Sequence, residues 1–169
     1  NMTIRGTDTG TQTGRNHAYC MHAEDNACAG SSLYVHDVIF ENAVHACVGI
    51  GLRNHYALEF RGCEFHATGA TNEAVYCHDH ETGTHGEDDQ HLAIVDCSLE
   101  TAGGYVMHLQ SQEINGNHAT LRAQRNILVN HAKPANLVAM SKWDGRDEGQ
   151  AGLLGSYSWS LDATSRMNT

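Results

Sequence analysis

Glu59 stands two places from Arg61, and Asp37 and Asp96 occupy matching bends of two similar segments, one before and one after it. Carboxylates displayed together on one face could work as a pair, one donating a proton while the other activates water or attacks, which is the chemistry that breaks a glycosidic bond. Glu59 and Asp96 are therefore the first candidate acids, and Arg61 is a candidate for holding a substrate group. On adjacent turns of the chain their repulsion would raise one pKa and keep that carboxyl protonated, the state a general acid requires. A second supply of acids is residues 78–91 (HDHETGTHGEDDQH), where Glu81, Asp88 and Asp89 could overhang a groove. The competing expectation for each of these groups is an ordinary solvated carboxylate.

The same loop holds four histidines and five carboxylates, a density that could attract a divalent cation. His80, Glu81 and His85 read HExxxH, one residue too long for the helical zinc motif, and no EF-hand spacing is present, so a solvated acidic loop is expected and no metal or cofactor is assigned. His22, His78 and His108 recur near the ends of similar strands. If they stack into one outward stripe beside Tyr76 and Gln110, the imidazoles could hydrogen-bond sugar hydroxyls; solvent-facing strand positions also tolerate histidine with no such role. Trp143 sits in a polar loop with Asp144, Arg146 and Asp147 and could offer a platform for a sugar ring, whereas Tyr157 and Trp159 suit the cap of an open end. No Ser-His-Asp or Cys-His signature stands out.

These candidates meet only if the chain brings them together, and a repeat shows how it could. Residues 33–40 (LYVHDVIF), 58–65 (LEFRGCEF), 92–99 (LAIVDCSL) and 121–128 (LRAQRNIL) share one eight-place template. Its first, third, sixth and eighth places are apolar or small: alternation, a two-residue bend, then alternation again. That is a strand turning a corner with one face kept inward, and it places Cys63 above Cys97. A second strand family, AYCMH at 18–22, EAVYCH at 73–78 and GYVMH at 104–108, returns about every 28 residues, too long for hairpins. Its inward row is expected to hold Tyr19 and Met21, Cys47 and Gly49, Val75 and Cys77, Tyr105 and Met107, then Leu137 and Ala139. The fold expected is all-β, a single right-handed parallel β-helix domain over residues 1–169, with about five coils in 1–155 and a last strand or capping segment in 156–169. Opening on Asn1 in mid-pattern, the chain reads as part of a longer polypeptide.

Composition narrows the partners. Twenty acidic against 10 basic residues give a formal charge of −10, which repels a nucleic-acid backbone. The apolar runs fall well short of the roughly 18 residues that a membrane span needs, so no membrane partner is expected. Six cysteines contain no CxxC pair, and most stand at inward places, where a reduced thiol acts as a small hydrophobe.

With the coils aligned, residues 17–26 (HAYCMHAEDN), 48–65 (VGIGLRNHYALEFRGCEF), 74–81 (AVYCHDHE) and 92–100 (LAIVDCSLE) together resemble the pectate-lyase-like right-handed β-helices of phage tail spikes and appendages. The likeness spans residues 16–130 and is one of pattern. It implies an extracellular protein of the virion tail, assembled as a homotrimer, that engages a cell-surface glycan. Some relatives cleave the polymer, as hydrolases or lyases, and others only hold it, so enzyme status stays open. A non-catalytic receptor-binding or structural shaft is one alternative. A bacterial secreted pectate-lyase-like enzyme is another, although the dense aspartate array that calcium-dependent elimination would need is missing. Fold alone cannot choose among these activities.

Overall fold

The computed structural model describes residues 2–6, 19–24, 32–41, 45–51, 57–69, 72–78, 90–111, 118–132, 138–142, 158–163 and 166–167. Strands account for most of them. In chain order these are β1 (Met2–Arg5), β2 (Tyr19–Glu24), β3 (Ser32–His36), β4 (Val38–Glu41), β5 (Ala46–Gly51), β6 (Ala57–Arg61), β7 (Glu64–Ala67) and β8 (Glu73–His78). They continue as β9 (Gln90–Val95), β10 (Ser98–Thr101), β11 (Met107–Ser111), β12 (His118–Gln124), β13 (Ile127–Asn130), β14 (Val138–Lys142), β15 (Ser158–Ala163) and β16 (Arg166–Met167). The chain deals these strands out in rotation to three sheets: β1-β4-β7-β10-β13-β16 in sheet A, β2-β5-β8-β11-β14 in sheet B, and β3-β6-β9-β12-β15 in sheet C. All pairings are parallel. The result is an all-β protein of three parallel sheets, an architecture compatible with a β-helix.

The eight-place template explains sheets A and C. Its first half supplies β3, β6, β9 and β12, its second half β4, β7, β10 and β13, and the bend between them carries the chain from one sheet to the other. Leu58, Phe60, Cys63, Phe65, Leu92, Ile94, Cys97, Leu99, Ala123, Asn126 and Leu128 are all buried, as the template requires. Like stacks on like in register: Phe40 pairs with Phe65, Phe65 with Leu99, and Leu99 with Leu128. The Phe40 and Phe65 rings stack with centroids 5.2 Å apart, and Phe60 meets Phe65 edge-on at 5.5 Å. Each such buried side chain contributes about 2 kcal/mol through removal of apolar area from water.

The bend itself is a repeated backbone device. Asp37, Gly62, Asp96 and Arg125 all adopt φ between 55° and 63°, the left-handed region. Aspartate and glycine accept that conformation most readily, and at Gly62 a Cβ would also lie 2.8 Å from Asp37 Oδ1. Turning the chain strips backbone groups of their sheet partners, and the next residue inward restores them. The Asn126 side chain accepts from the Cys97 N–H at 2.9 Å and donates to the Ile94 carbonyl at 2.7 Å. One circuit below, Cys97 Sγ accepts from the Cys63 N–H at 3.4 Å and lies 3.6 Å from the Phe60 carbonyl, while Cys63 Sγ lies 3.4 Å from the Val35 carbonyl. Thiol and amide thus play the same part at successive levels. The side-chain interaction with the Cys63 thiol, followed by burial, pushes the Cys97 thiol well above the usual range against the opposing effect of the Cys63 N–H, so it stays protonated.

Sheet B departs from the expected alternation. Cys47 and Val48 both reach the core, as do Ala74 and Val75, and Val106 and Met107. Two consecutive inward residues mark a bend, and beyond it the inward place falls on Ile50, which is fully buried, and not on Gly49. Gly49 faces outward beneath Tyr19, whose ring lies 2.7 Å from where a Cβ would stand. Tyr19 and Tyr105 likewise belong to the outer face, packing on His22 and His108 at centroid distances of 5.1 and 5.6 Å. Leu137, and the side chains of Cys77 and Ala139, lie outside the described residues.

If the corner ladder satisfies the backbone as described, Asn126→Ala orphans the Cys97 N–H and the Ile94 carbonyl in a site with no exposure. Urea denaturation is expected to show a loss of about 2–4 kcal/mol. A loss below about 1 kcal/mol would mean that the ladder contributes little.

Candidate functional site

The outward places of sheet C form columns across successive strands. Tyr34 pairs with Glu59, Glu59 with Ala93, and Ala93 with Arg122, so template place two becomes a row of side chains along the stack. Ala93 is the short member. Over it the chain leaves a groove of about 290 Å³, floored by Leu58 and Leu92 and walled by Tyr34, Glu59, His91 and Arg122. Tyr34 is 65 % exposed.

Glu59 is the electrostatic centre of this face. Arg61 Nε donates to its Oε1 at 2.8 Å, Arg122 Nη2 reaches across Ala93 to its Oε2 at 3.2 Å, and His36 Nε2 lies 3.7 Å from Oε1. The Arg61 hydrogen bond holds the Glu59 carboxyl below its ordinary range, with the charges of Arg61 and Arg122 in support. Asp96 is tied from the next corner: Arg125 grips both its oxygens at 2.6 and 2.7 Å, and Arg61 Nη1 lies 3.5 Å away. Its carboxyl is lowered too, chiefly by the Arg125 hydrogen bond. The expectation that mutual repulsion would raise one of these pKa values is corrected. Arg61 reaches both acids, and each acid is hydrogen-bonded to a guanidinium.

The two remaining sheets carry other polar groupings. On sheet A, His66 bridges Glu64 Oε2 at 3.2 Å and Glu100 Oε2 at 3.1 Å, while His131 Nε2 bonds Glu100 Oε1. His66, Glu100 and His131 border a hollow of about 260 Å³. On sheet B, His22, Gly49, Tyr76, His108 and Ala139 share one row, so His22 and His108 do lie in line, with Tyr76 and not a third histidine between them. His78 pairs with Gly51, two places further along the strand, and the expected histidine stripe is broken there. Glu73 is 8 % exposed; its Oε1 meets His108 Nδ1 at 2.8 Å, and its buried Oε2 has no hydrogen-bond partner among the described residues.

Of the residues expected to act, Glu59, Asp96 and Arg61 are thus brought together on one face, and His22 and His108 on another. Glu81, Asp88 and Trp143 lie outside the described residues, as does the side chain of His78. Tyr34, His91, Ala93 and Arg122 were not anticipated. Reading template place two down the four segments, Tyr34, Glu59, Ala93, Arg122, would have found all but His91. Among the described residues no group of three or more His, Cys, Asp or Glu is arranged to hold a metal ion. Comparison with protein-family models, curated proteins and solved structures finds no match to this chain.

Two outcomes follow. Because the folded-state pKa of Glu59 lies below its unfolded value, the unfolded chain binds more protons between the two values, and this contribution to stability is complete above about pH 5 and lost as pH falls through the folded value. In a carboxyl-carbon NMR titration, Arg61→Gln should move the Glu59 midpoint upward; an unmoved midpoint would show that Arg61 does not set it. On sheet B, His108→Leu deprives a buried carboxylate of its described partner and should cost about 3 kcal/mol in urea unfolding, with most of the loss recovered in the Glu73→Leu, His108→Leu double variant. Equal instability of both variants would contradict this.

Proposed function

We propose that this chain is a right-handed parallel β-helix module that binds an extracellular, cell-surface polysaccharide. The observation that carries the proposal is the sheet C groove. It runs across successive strands, along the direction in which the sheets stack, and so suits an extended ligand rather than a compact one. It combines an exposed tyrosine ring with a guanidinium, a carboxylate and an imidazole, and polysaccharides are held by that combination: the ring face packs on CH groups while the polar groups take hydroxyls and substituents. Right-handed closure of the three sheets is supported by the strong preference of parallel β crossovers for that hand. The homotrimer, the virion tail and adsorption to a host surface rest on the resemblance of residues 16–130 to the tail-spike helices.

Binding without cleavage is the form of this function that the geometry favours. A hydrolytic pair needs one acid protonated at working pH, and Glu59 and Asp96 are both held ionised by arginines. Their part is to aim guanidiniums.

The test is a glycan array followed by titration of the intact chain with the oligosaccharides retained. Tyr34→Ala is expected to weaken binding at least about tenfold, equivalent to losing about 1.4 kcal/mol of ring contact, with no oligosaccharide product released on long incubation by either protein. Failure to retain any glycan, or undiminished binding by Tyr34→Ala, would refute the assignment of this groove.

A further inference from the structure

We infer that the polysaccharide held by the sheet C groove is anionic and that Arg122 is the residue that reads its charge. The inference rests on the binding reading above and adds the ligand class and the specificity determinant.

The chain carries only 10 basic side chains against 20 acidic ones, yet Arg61, Arg122 and Arg125 all project from this face or its adjoining corner. The carboxylates they bond are Glu59 and Asp96, while Asp37 stands at the corner beside Gly62 and Asp162 is in register with Arg122, so the case for an anion rests on how each arginine is engaged and not on an excess of charge. The three arginines are not equivalent. Arg125 is committed to Asp96 through two short bonds, and Arg61 is divided between Glu59 and Asp96. Arg122 gives Glu59 a single bond from Nη2, and its other N–H donors have no partner among the described residues. A guanidinium has five donors in a planar fork, so Arg122 retains the geometry that grips a carboxylate, sulfate or phosphate.

Position completes the argument. The Arg122 side chain is 44 % exposed, whereas that of Glu59 is 17 % exposed and lies beneath the arginines that bind it. An approaching anion therefore meets guanidinium before carboxylate. Glu59 fixes Arg122 over the short Ala93, at the end of the groove opposite Tyr34, with His36 and His91 nearby as further groups that become cationic on protonation. Tyr34 and Arg122 are three strand spacings apart, about 14 Å. A sugar unit packed on the ring would place a charged substituent of a neighbouring unit within reach of the fork. A neutral polymer can use the ring and the hydrogen-bonding groups but gains nothing from the charge of the fork, and nucleic acids are opposed by the net charge beyond the groove.

The experiment uses the intact chain and three anionic oligosaccharides: an oligouronate, a sulfated oligosaccharide and a phosphodiester-linked glycan. Each is paired with a neutral counterpart of the same backbone, and all are measured by calorimetry at low and high salt. At least one anionic ligand should bind about tenfold or more tightly than its neutral counterpart, with the margin shrinking at high salt, and the three arms identify the group that is read. Arg122→Gln should remove the margin, bringing the affinity of the anionic ligand down to that of its neutral counterpart. Arg122→Lys should keep part of it, since charge remains while the fork is lost, and melting temperatures check that both variants fold. Equal affinity for charged and neutral partners, or a margin that survives Arg122→Gln, overturns this inference and leaves the binding reading standing. If no oligosaccharide of either kind binds, the binding reading falls and the inference with it.

Discussion

The architecture depends on one constraint, that the chain turns the same corner in the same way on successive circuits. At each of the four described corners a residue takes a left-handed conformation, and at three of them the inward residue after it, Cys63, Cys97 or Asn126, hydrogen-bonds the backbone of the circuit below. Asn126 does this for Cys97 and Ile94, and Cys97 does it for Cys63. A corner that failed to close these bonds would leave polar backbone in an apolar core, at a cost comparable to the gain from burying a large side chain. Parallel register is the arrangement that lets every corner use the same solution, since each level then presents its backbone groups at the same place relative to the next.

Once the corners are fixed, the outer surface follows from register. Side chains at equal template places line up along the stack, so a face can be composed from residues distant in sequence. On sheet C this turns Tyr34, Glu59, Ala93 and Arg122 into one feature whose shape comes from the alanine and whose charge comes from the arginines around Glu59. The same corner residues that turn the chain also contribute to its charge pattern: Asp96 and Arg125 both have positive φ and bond each other. Structural and surface roles converge there, which is why the ion pairs form a connected chain from Arg122 through Glu59, Arg61 and Asp96 to Arg125 and not isolated contacts.

Much of this was legible in the amino-acid order, and the part that was not has a physical cause. Sheets A and C were readable because their strands are amphipathic with a regular interruption, so Leu58, Phe60, Cys63 and Phe65 announce their burial. Sheet B was misread at Gly49, Tyr19 and Tyr105 because Cys47 with Val48, Ala74 with Val75, and Val106 with Met107 are consecutive inward residues that break a period of two. A slip of one place there sent Gly49 to the wrong face. The cluster of Glu59, Arg61 and Asp96 was visible as composition, but its chemistry was inverted. Proximity of two acids suggested a raised pKa, whereas Arg61 beside Glu59 and Arg125 beside Asp96 lower both, and the contact from Arg122 spans sixty-three positions of sequence. Pairing across two circuits cannot be inferred until register is known.

The central claim, that segments far apart in sequence become stacked neighbours, is open to a direct distance measurement. Thr3 and Ile127 are both exposed on sheet A and stand four strand spacings apart, through Ile39, Glu64 and Ser98. Spin labels carried on unnatural amino acids at these two positions, leaving the native thiols untouched, should give a narrow electron–electron distance distribution near about 20 Å. A broad distribution, or a mean well beyond about 30 Å, would contradict the parallel stack on which the groove and its proposed ligand depend.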